Sequence, residues 1–330
     1  MLKYILKRIG YSILVLVGVS AIIYFLIRLM PVSYVENLVN QISQGGATVS
    51  QETVDAMYEA YGLGDNSIGG ILGGYFNWLL NLAQGNLGDS FIHKLPVADV
   101  ILENMLVSFG VALIATVFEF MIAIPLGITA ATHQYSLRDY MVTVLVMIGI
   151  SLPSFFFGQV LKDIFAVQFG WFEPSGLGTA AVNLTGFAKI LDYLRYLVLP
   201  VLTIVILSIG PRMRMTRTNM LEVMNSDYIR TARAKGLKEK VVINKHAFRN
   251  TMIPLVTSMA GLLPSLFSGA IITEQVFDLP GIGNVALDAM TRGDIPFIMG
   301  YNMFLAMLSV LGILMADLMY GLVDPRVKLE

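Results

Sequence analysis

The chain has 330 residues, of which 56% are hydrophobic and only 14% charged, and its formal net charge is −1. The charged fraction is well below the roughly 25% typical of soluble domains, so the composition indicates a membrane protein. A near-neutral balance gives no electrostatic reason to expect nucleic-acid binding. The lack of cysteine excludes disulfides, thiol catalysis and cysteine-ligated metals.

Long apolar stretches predict an all-α membrane protein with six transmembrane helices, since one span needs about 20 apolar residues. The first stretch begins like a signal peptide, but its apolar core is too long, so we interpret it as an uncleaved span. The predicted spans cover residues 9–30, 104–131, 140–165, 194–215, 251–276 and 296–323.

The distribution of lysine and arginine predicts the orientation, because cytoplasmic loops are enriched in these residues. With both termini placed in the cytoplasm, 16 of the 22 basic residues fall on the inner side. The segment between the first two spans then faces outward, where it carries eight acidic residues. Its stretch "YFNWLLNL" suits either an interfacial helix or a cap helix packed on the spans.

The search for catalytic chemistry finds little. The sequence contains no Walker phosphate-binding loop, no H-E-x-x-H and no G-x-S-x-G motif, so a phosphate-binding loop for ATP hydrolysis must come from another chain. Two carboxylates fall inside predicted spans, Glu119 and Asp317, and such residues are costly and often functional. For Asp317 a structural role is expected, while Glu119 is left open.

Prolines interrupt several predicted spans, where each removes a backbone hydrogen bond and bends or breaks the helix. Such breaks occur where a transport path is lined and also as passive kinks, and the sequence does not separate the two. The prolines in question are Pro125, Pro153, Pro200, Pro211, Pro254 and Pro264.

A basic stretch in the middle of this apolar chain is its most specific feature. Seven lysines and arginines lie between Arg230 and Arg249. Ser226 is placed to N-cap a short helix, and Gly236 to end it in the left-handed conformation. Tyr228, Ile229 and Ala232 would form a narrow apolar stripe on that helix. The helix would then lie on anionic headgroups or dock on a partner protein.

The same loop resembles the inner-membrane permease subunits of ABC importers, in particular the dipeptide/oligopeptide/nickel family. Its cytoplasmic "EAA" signature is matched by "YIRTARAKGL" and then "HAFRNTMIP". Further matches are "IPLGITAA", "SLPSFFFG", "TEQVFDLPGIG", "DPRV" and "YFNWLLNLAQGNLGDSF", in which Asn86 replaces the usual aspartate. The glutamate of the general signature is replaced by Arg230-Thr231-Ala232, as is usual for the peptide branch.

The resemblance implies a type I ABC importer permease with both termini cytoplasmic. It divides the chain into residues 1–30, an extracytoplasmic segment 31–103, a core 104–323 with a coupling loop 216–250, and a tail 324–330. The implied partners are a second permease, two cytosolic ATPase subunits that bind ATP and magnesium, an extracytoplasmic binding protein, and the bilayer of a bacterial or archaeal cytoplasmic membrane. This chain itself would be non-catalytic, with no cofactor or metal.

The resemblance also makes the loop helix a coupling helix seated on an ATPase. The expected coupling residues are Tyr228, Ile229, Arg230, Ala232, Arg233, Gly236, Arg249 and Asn250. Among these, Arg230 and Arg233 would be polar partners, and Arg249 and Asn250 would relay motion into the fifth span. The stretch "EQVFDLPGIG" is interpreted as a gate, a binding-protein contact or a plain connector.

Small and polar residues in spans three and five are candidates for the translocation path, although they also suit helix packing. They are Ser151, Pro153, Ser154, Ser258, Ser265 and Ser268. Short peptides are the expected substrate. The alternatives are a nickel chelate, glutathione or another small solute, an ion-coupled secondary carrier, and a membrane scaffold without transport.

Overall fold

The computed structural model describes residues 2–28, 34–44, 50–60, 67–178 and 186–323, and this part of the chain is helical. Its one β-type pairing is an isolated antiparallel bridge between Asp89 and Pro96. The tail 324–330 lies outside the described residues. The α-helices are α1 Leu2–Arg28, α2 Tyr34–Gln44, α3 Gln51–Ala60, α4 Ile68–Ala83, α5 Val97–Thr132, α6 Leu137–Ser151, α7 Ser154–Leu161, α8 Phe187–Met224, α9 Asp227–Ala234, α10 Glu239–Val241, α11 Phe248–Ser258, α12 Leu262–Phe267, α13 Ile271–Val276, α14 Ile282–Arg292 and α15 Ile295–Val323.

Helices long and apolar enough to cross a membrane account for five of the six predicted spans among the described residues. They are Gly10–Ile27, Val97–Thr132, Phe187–Met224, Pro254–Val276 and Ile295–Asp317. The helices that contain the second and fourth spans, α5 and α8, are 36 and 38 residues long, so both extend beyond the predicted bounds.

The third predicted span is sharply bent, as the proline within it predicts. Its two halves, Leu137–Ser151 and Ser154–Gln168, are bent by 100°. Leu152 is extended, with φ −86° and ψ 130°, because the ring of Pro153 disfavours helical geometry in the residue before it. The segment therefore counts as one broken span or as a re-entrant pair of helices.

The remaining prolines act differently from Pro153. Pro125 lies inside the continuous helix α5, and Pro200 and Pro211 lie inside α8, so none of these three ends its helix. In the fifth span the chain passes from α11 through a short 3-10 turn, Met259–Gly261, into α12 and then α13. The span is thus assembled from short helical pieces.

The chain divides into two compact units, Met1–Leu106 with Asn284–Val310, and Val107–Gly283 with Leu311–Glu330. In the first unit, α4 packs one face against α1. The Tyr75 hydroxyl lies 3.0 Å from that of Ser20, and the ring of Tyr75 meets the ring of Tyr24 edge-on. Phe76 and Leu80, on the other side of α4, stay exposed. The helix predicted from "YFNWLLNL" is therefore packed on a span and also presents an apolar face.

A buried carboxylate organises the loop that leads into α5 within the same unit. Asp294 is fully buried, and its oxygens accept hydrogen bonds from the Ser90 hydroxyl at 2.5 Å and from the amides of Phe91 at 3.0 Å and Ile92 at 3.2 Å. The Phe297 amide in the first turn of α15 also donates to it, at 3.3 Å. One side chain thus joins the "GDS" turn to the start of α15.

In the second unit, the stretch "EQVFDLPGIG" is part of the core. Phe277, Leu279 and Ile282 are at most 1% exposed. The carboxylate of Glu274 accepts a 2.6 Å hydrogen bond from the Ser108 hydroxyl, which itself accepts one from the Ile282 amide at 2.9 Å. Gly281 is required here, because a Cβ at that position would collide with the Glu274 carboxylate. The stretch is therefore a packed connector on its inner side, with Gln275, Asp278 and Pro280 exposed.

We predict that Asp294→Ala lowers the unfolding free energy by about 3 kcal/mol or more, because buried donors that lose a charged acceptor cost roughly 1–3 kcal/mol each. The measurement is thermal and denaturant unfolding of the purified protein. The matched control is Asp89→Asn, an exposed carboxylate of the same loop, which should change stability by less than about 0.5 kcal/mol. Equal effects of the two variants would contradict the structural role of Asp294.

Candidate functional site

The basic loop folds as a short helix with the predicted end. Helix α9 spans Asp227–Ala234, and Gly236 follows it with φ +72°, the left-handed conformation that glycine adopts without steric cost. The expected side-chain cap is wrong. Ser226 has an extended N-cap backbone, but its hydroxyl donates to the Val223 carbonyl at 2.6 Å instead of accepting from an amide of α9.

The inner face of α9 is buried within the chain itself. Ile229 is 0% and Ala232 is 6% exposed. They form one apolar cluster with Met220 at the end of α8 and with Val242 and Ala247 further along the loop. Ile229 and Ala232 therefore cannot form part of an exposed docking surface. Of the apolar stripe predicted from the sequence, Ile229 and Ala232 anchor the loop on its own protein, and Tyr228 does not.

The outer face of α9 consists of Asp227, Tyr228, Arg230 and Thr231, and all four are exposed. Tyr228 is 48% exposed. Arg230 lies 3.5 Å from Asp227 one turn earlier, and both side chains are mostly in solvent. Such an exposed pair contributes little to stability, so these groups remain available to another molecule.

Arg233 is engaged inside the loop. Its Nη2 and Nε donate to the two carboxylate oxygens of Glu239 at 2.7 and 3.2 Å. These hydrogen bonds hold the pKa of the Glu239 carboxyl below its usual range and raise the pKa of Arg233. Arg233 was expected to serve as a polar partner for another chain; in this structure it fastens α9 to the segment that follows.

The connection from the loop into α11 passes through Ala247 and Thr251, which were not among the predicted coupling residues. Thr251 is fully buried, and its hydroxyl donates to the Ala247 carbonyl at 3.0 Å and lies 3.2 Å from the Met220 sulfur. The two residues expected to relay motion, Arg249 and Asn250, are exposed, and the Asn250 amide donates to the His246 carbonyl. Small size at Ala247 and Thr251 was the available signal, because it permits close helix approach.

A second polar cluster joins three helices within the candidate spans. Arg212 of α8 donates through Nε to Glu119 of α5 at 2.9 Å and through Nη1 to Ser258 of α11 at 2.7 Å. Its guanidinium also lies 4.4 Å from the centre of the Phe120 ring. Glu119 and Arg212 have side chains only 12% and 15% exposed. Glu119 therefore neutralises the partly buried arginine of α8.

The six candidate path residues have different environments. Ser258 belongs to the cluster around Arg212. The hydroxyls of Ser151, Ser265 and Ser268 donate to carbonyls three or four residues earlier in the chain. Pro153 and Ser154 form the bend between α6 and α7. Asp317, the other carboxylate noted in a predicted span, is partly buried on α15.

Comparison with known proteins gives concordant matches. The model of the family described as binding-protein-dependent transport system inner membrane component matches residues 123–329. The oligopeptide transport system permease protein AppB of Bacillus subtilis is 34% identical over 99% of this chain and 100% of its own length. The di/tripeptide transport system permease protein DppB of Pseudomonas aeruginosa is 33% identical, with 99% of each chain covered.

A solved structure extends the likeness to the fold. A chain of the MetNI methionine ABC transporter, in an inward-facing conformation, matches 68% of this chain and 96% of its own length. The TM-score is 0.52 and the sequence identity 15%. At this identity the match shows a shared helical fold and no more.

We predict that Arg212→Met lowers the unfolding free energy by about 3–5 kcal/mol, because it leaves the Glu119 carboxylate buried without a counter-charge. The double variant Glu119→Leu/Arg212→Met should recover most of that loss, and Ser258→Ala should cost about 1 kcal/mol. Thermal unfolding of the purified protein, analysed as a double-mutant cycle, measures the coupling. Strictly additive single-variant effects would contradict the ion pair.

Proposed function

Because the chain belongs to the family of binding-protein-dependent transport system inner membrane components, we propose that it is the permease subunit of an ATP-driven importer of short peptides. Full-length similarity to relatives named as oligopeptide and di/tripeptide permeases is the observation that carries the substrate class. A second, similar permease completes the path, and an extracytoplasmic binding protein delivers the peptide. ATP and magnesium bind to separate ATPase chains.

The proposed placement is a multi-pass one in the cytoplasmic membrane of a bacterium or archaeon. Both termini lie in the cytoplasm, and residues 31–103 lie outside. The 16 of 22 basic residues on the inner side support this orientation, and the bent pair α6–α7 counts as the third of six spans. The loop that contains α9 then faces the cytosol, where ATPase chains are accessible.

We assign coupling to the two faces of α9. The outer face, with Tyr228 and Arg230, seats on an ATPase subunit; an aromatic anchor and an exposed guanidinium are typical of such contacts. The inner face, with Ile229 and Ala232, is packed against the cluster that continues into α11. A displacement of α9 is thereby passed on by close packing, since packed interiors transmit strain instead of absorbing it.

We propose that the displacement of α9 reaches the membrane-spanning helices at the Arg212 cluster. It joins α5, α8 and α11 through one guanidinium, so α11 cannot shift far from α8 without breaking the hydrogen bond to Ser258. A buried pair of this kind favours one arrangement of the three helices over others. In this proposal, movement of α9 pulls α11 away from the arrangement that the Arg212 hydrogen bonds favour.

Other substrates are compatible with the same machinery. A nickel chelate, glutathione or another small solute would use the same coupling loop, and the names of the relatives favour peptides. An ion-coupled carrier is less well supported, because two buried carboxylates that could bind a coupling ion, Glu119 and Asp139, are each paired with an arginine. A scaffold without transport would show no solute flux with any set of partners.

The proposal predicts ATP-dependent uptake. Proteoliposomes that contain this chain, its copurifying permease and ATPases, and its binding protein should accumulate labelled di- and oligopeptides when ATP is enclosed with the ATPases. Collapse of proton and sodium gradients should leave uptake within about twofold. Uptake by this chain alone, without an ATPase, would refute the proposal, and uptake of a metal chelate but no peptide would change the substrate class.

The two faces of α9 should respond differently to truncation. Tyr228→Ala is expected to reduce peptide-stimulated ATPase activity by roughly tenfold or more, as for an anchor worth about 2 kcal/mol, with little change in stability. Ile229→Ala should destabilise the protein by about 2–5 kcal/mol, because it opens a cavity in the loop core. ATPase assays and thermal unfolding of the assembled complex separate the effects. Full stimulation in Tyr228→Ala would exclude this residue from the contact.

A further inference from the structure

A cavity between α6 and α8 is not used by the coupling loop or by the Arg212 cluster. It has a volume of about 430 Å³. Tyr135, Tyr140 and Thr143 line it from the side of α6, and Arg214, Arg217 and Thr218 line it from α8. Its walls therefore combine hydroxyl groups with two guanidinium groups.

The positive charge of this cavity comes from Arg214. Arg217 donates through Nε and Nη2 to the two oxygens of Asp139, at 3.0 and 2.9 Å, and the Tyr135 amide donates to the same carboxylate at 3.1 Å. Asp139 and Arg217 thus neutralise each other. Arg214 is exposed, and within the part of the chain that the structure describes it has no carboxylate partner.

The lining changes from polar to apolar along α6. Its polar residues lie near the start of the helix, and Val146 and Met147 follow about one turn after Thr143. In the proposed topology the start of α6 faces the cytoplasm, so the apolar end of the lining points into the bilayer.

From this arrangement we infer that the cavity binds one anionic phospholipid of the cytoplasmic leaflet. Its phosphate pairs with Arg214 and with the exposed edge of Arg217, the tyrosine and threonine hydroxyls contact the rest of the headgroup, and an acyl chain lies along Val146 and Met147. Tyrosines and arginines are favoured at this depth of the membrane, and basic pockets between spans on the cytoplasmic side suit anionic headgroups.

A lipid fits these walls better than a soluble anion does. A free phosphate would bind only the polar end of the cavity and leave the apolar end unoccupied. A phospholipid fills the polar end with its headgroup and the apolar end with an acyl chain. The outer surface of α6 next to the cavity is also apolar and exposed, with Val144 55%, Leu145 70% and Ile148 55% exposed. The inference depends on the proposed orientation of the chain and is independent of the transported substrate.

The test uses the full complex in nanodiscs of phosphatidylcholine alone or of phosphatidylcholine with phosphatidylglycerol. After transfer to detergent, native mass spectrometry should find phosphatidylglycerol retained on this chain. Arg214→Gln should reduce the retained fraction by roughly tenfold, the loss of one charge-assisted contact. Arg138→Gln is the matched control, because Arg138 is an exposed arginine of α6 that contacts His133 and does not line the cavity.

Three outcomes would overturn the inference. Equal retention by wild type and Arg214→Gln would remove Arg214 from the site. Full displacement of the lipid by glycerol phosphate would make it a site for a soluble anion. Replacement of Tyr140 by photoreactive p-benzoylphenylalanine should crosslink phospholipid, and crosslinking to a second permease chain instead would make this face a subunit contact.

Thermal unfolding of Arg214→Gln in phosphatidylcholine checks that the variant is folded. Peptide uptake is measured on the same preparations. If Arg214→Gln loses the lipid but still supports peptide uptake, the lipid site is confirmed and the proposed function is unaffected. If the wild type retains the lipid but takes up no peptide, the proposed function is contradicted and the lipid site is unaffected.

Discussion

Burying a carboxylate away from water costs several kcal/mol unless donors or a counter-charge compensate it. Four carboxylates are buried among the described residues, Glu119, Asp139, Glu274 and Asp294. Two are neutralised by arginines of α8, and two are held by hydroxyl and amide donors. Each one joins segments that are distant in the sequence, so together these residues specify which parts of the chain are adjacent within each unit.

The two arginine pairs give α8 a central place in the second unit. Arg212 reaches α5 and α11, and Arg217 reaches α6. Apolar packing in a bilayer discriminates weakly between alternative helix arrangements, because lipid tails are as apolar as the side chains. The ion pairs of Arg212 and Arg217, at two positions along α8, therefore select one arrangement of the neighbouring helices, which apolar packing alone does not do.

The loop after α8 is also held by a combination of apolar burial and one ion pair. The inner face of α9 is buried through Ile229 and Ala232, and Arg233 hydrogen-bonds to Glu239. In the proposed coupling, a loosely attached helix would move without moving the spans. Firm attachment of the inner face leaves Tyr228 and Arg230 exposed on the outer face.

Local composition, periodicity and backbone preference were enough to predict a helical membrane protein, the positions of most spans, the bounds of α9 and the left-handed conformation of Gly236. They did not predict that Ile229 and Ala232 face inward, that Arg233 pairs with Glu239, or that Glu119 pairs with Arg212. The proline pattern predicted a break in the third span but not its angle of 100°. The physical reason is that an apolar stripe or a charge specifies the chemistry of its partner and leaves the partner's identity open. Whether that partner belongs to the same chain or to another is fixed only when distant segments pack together.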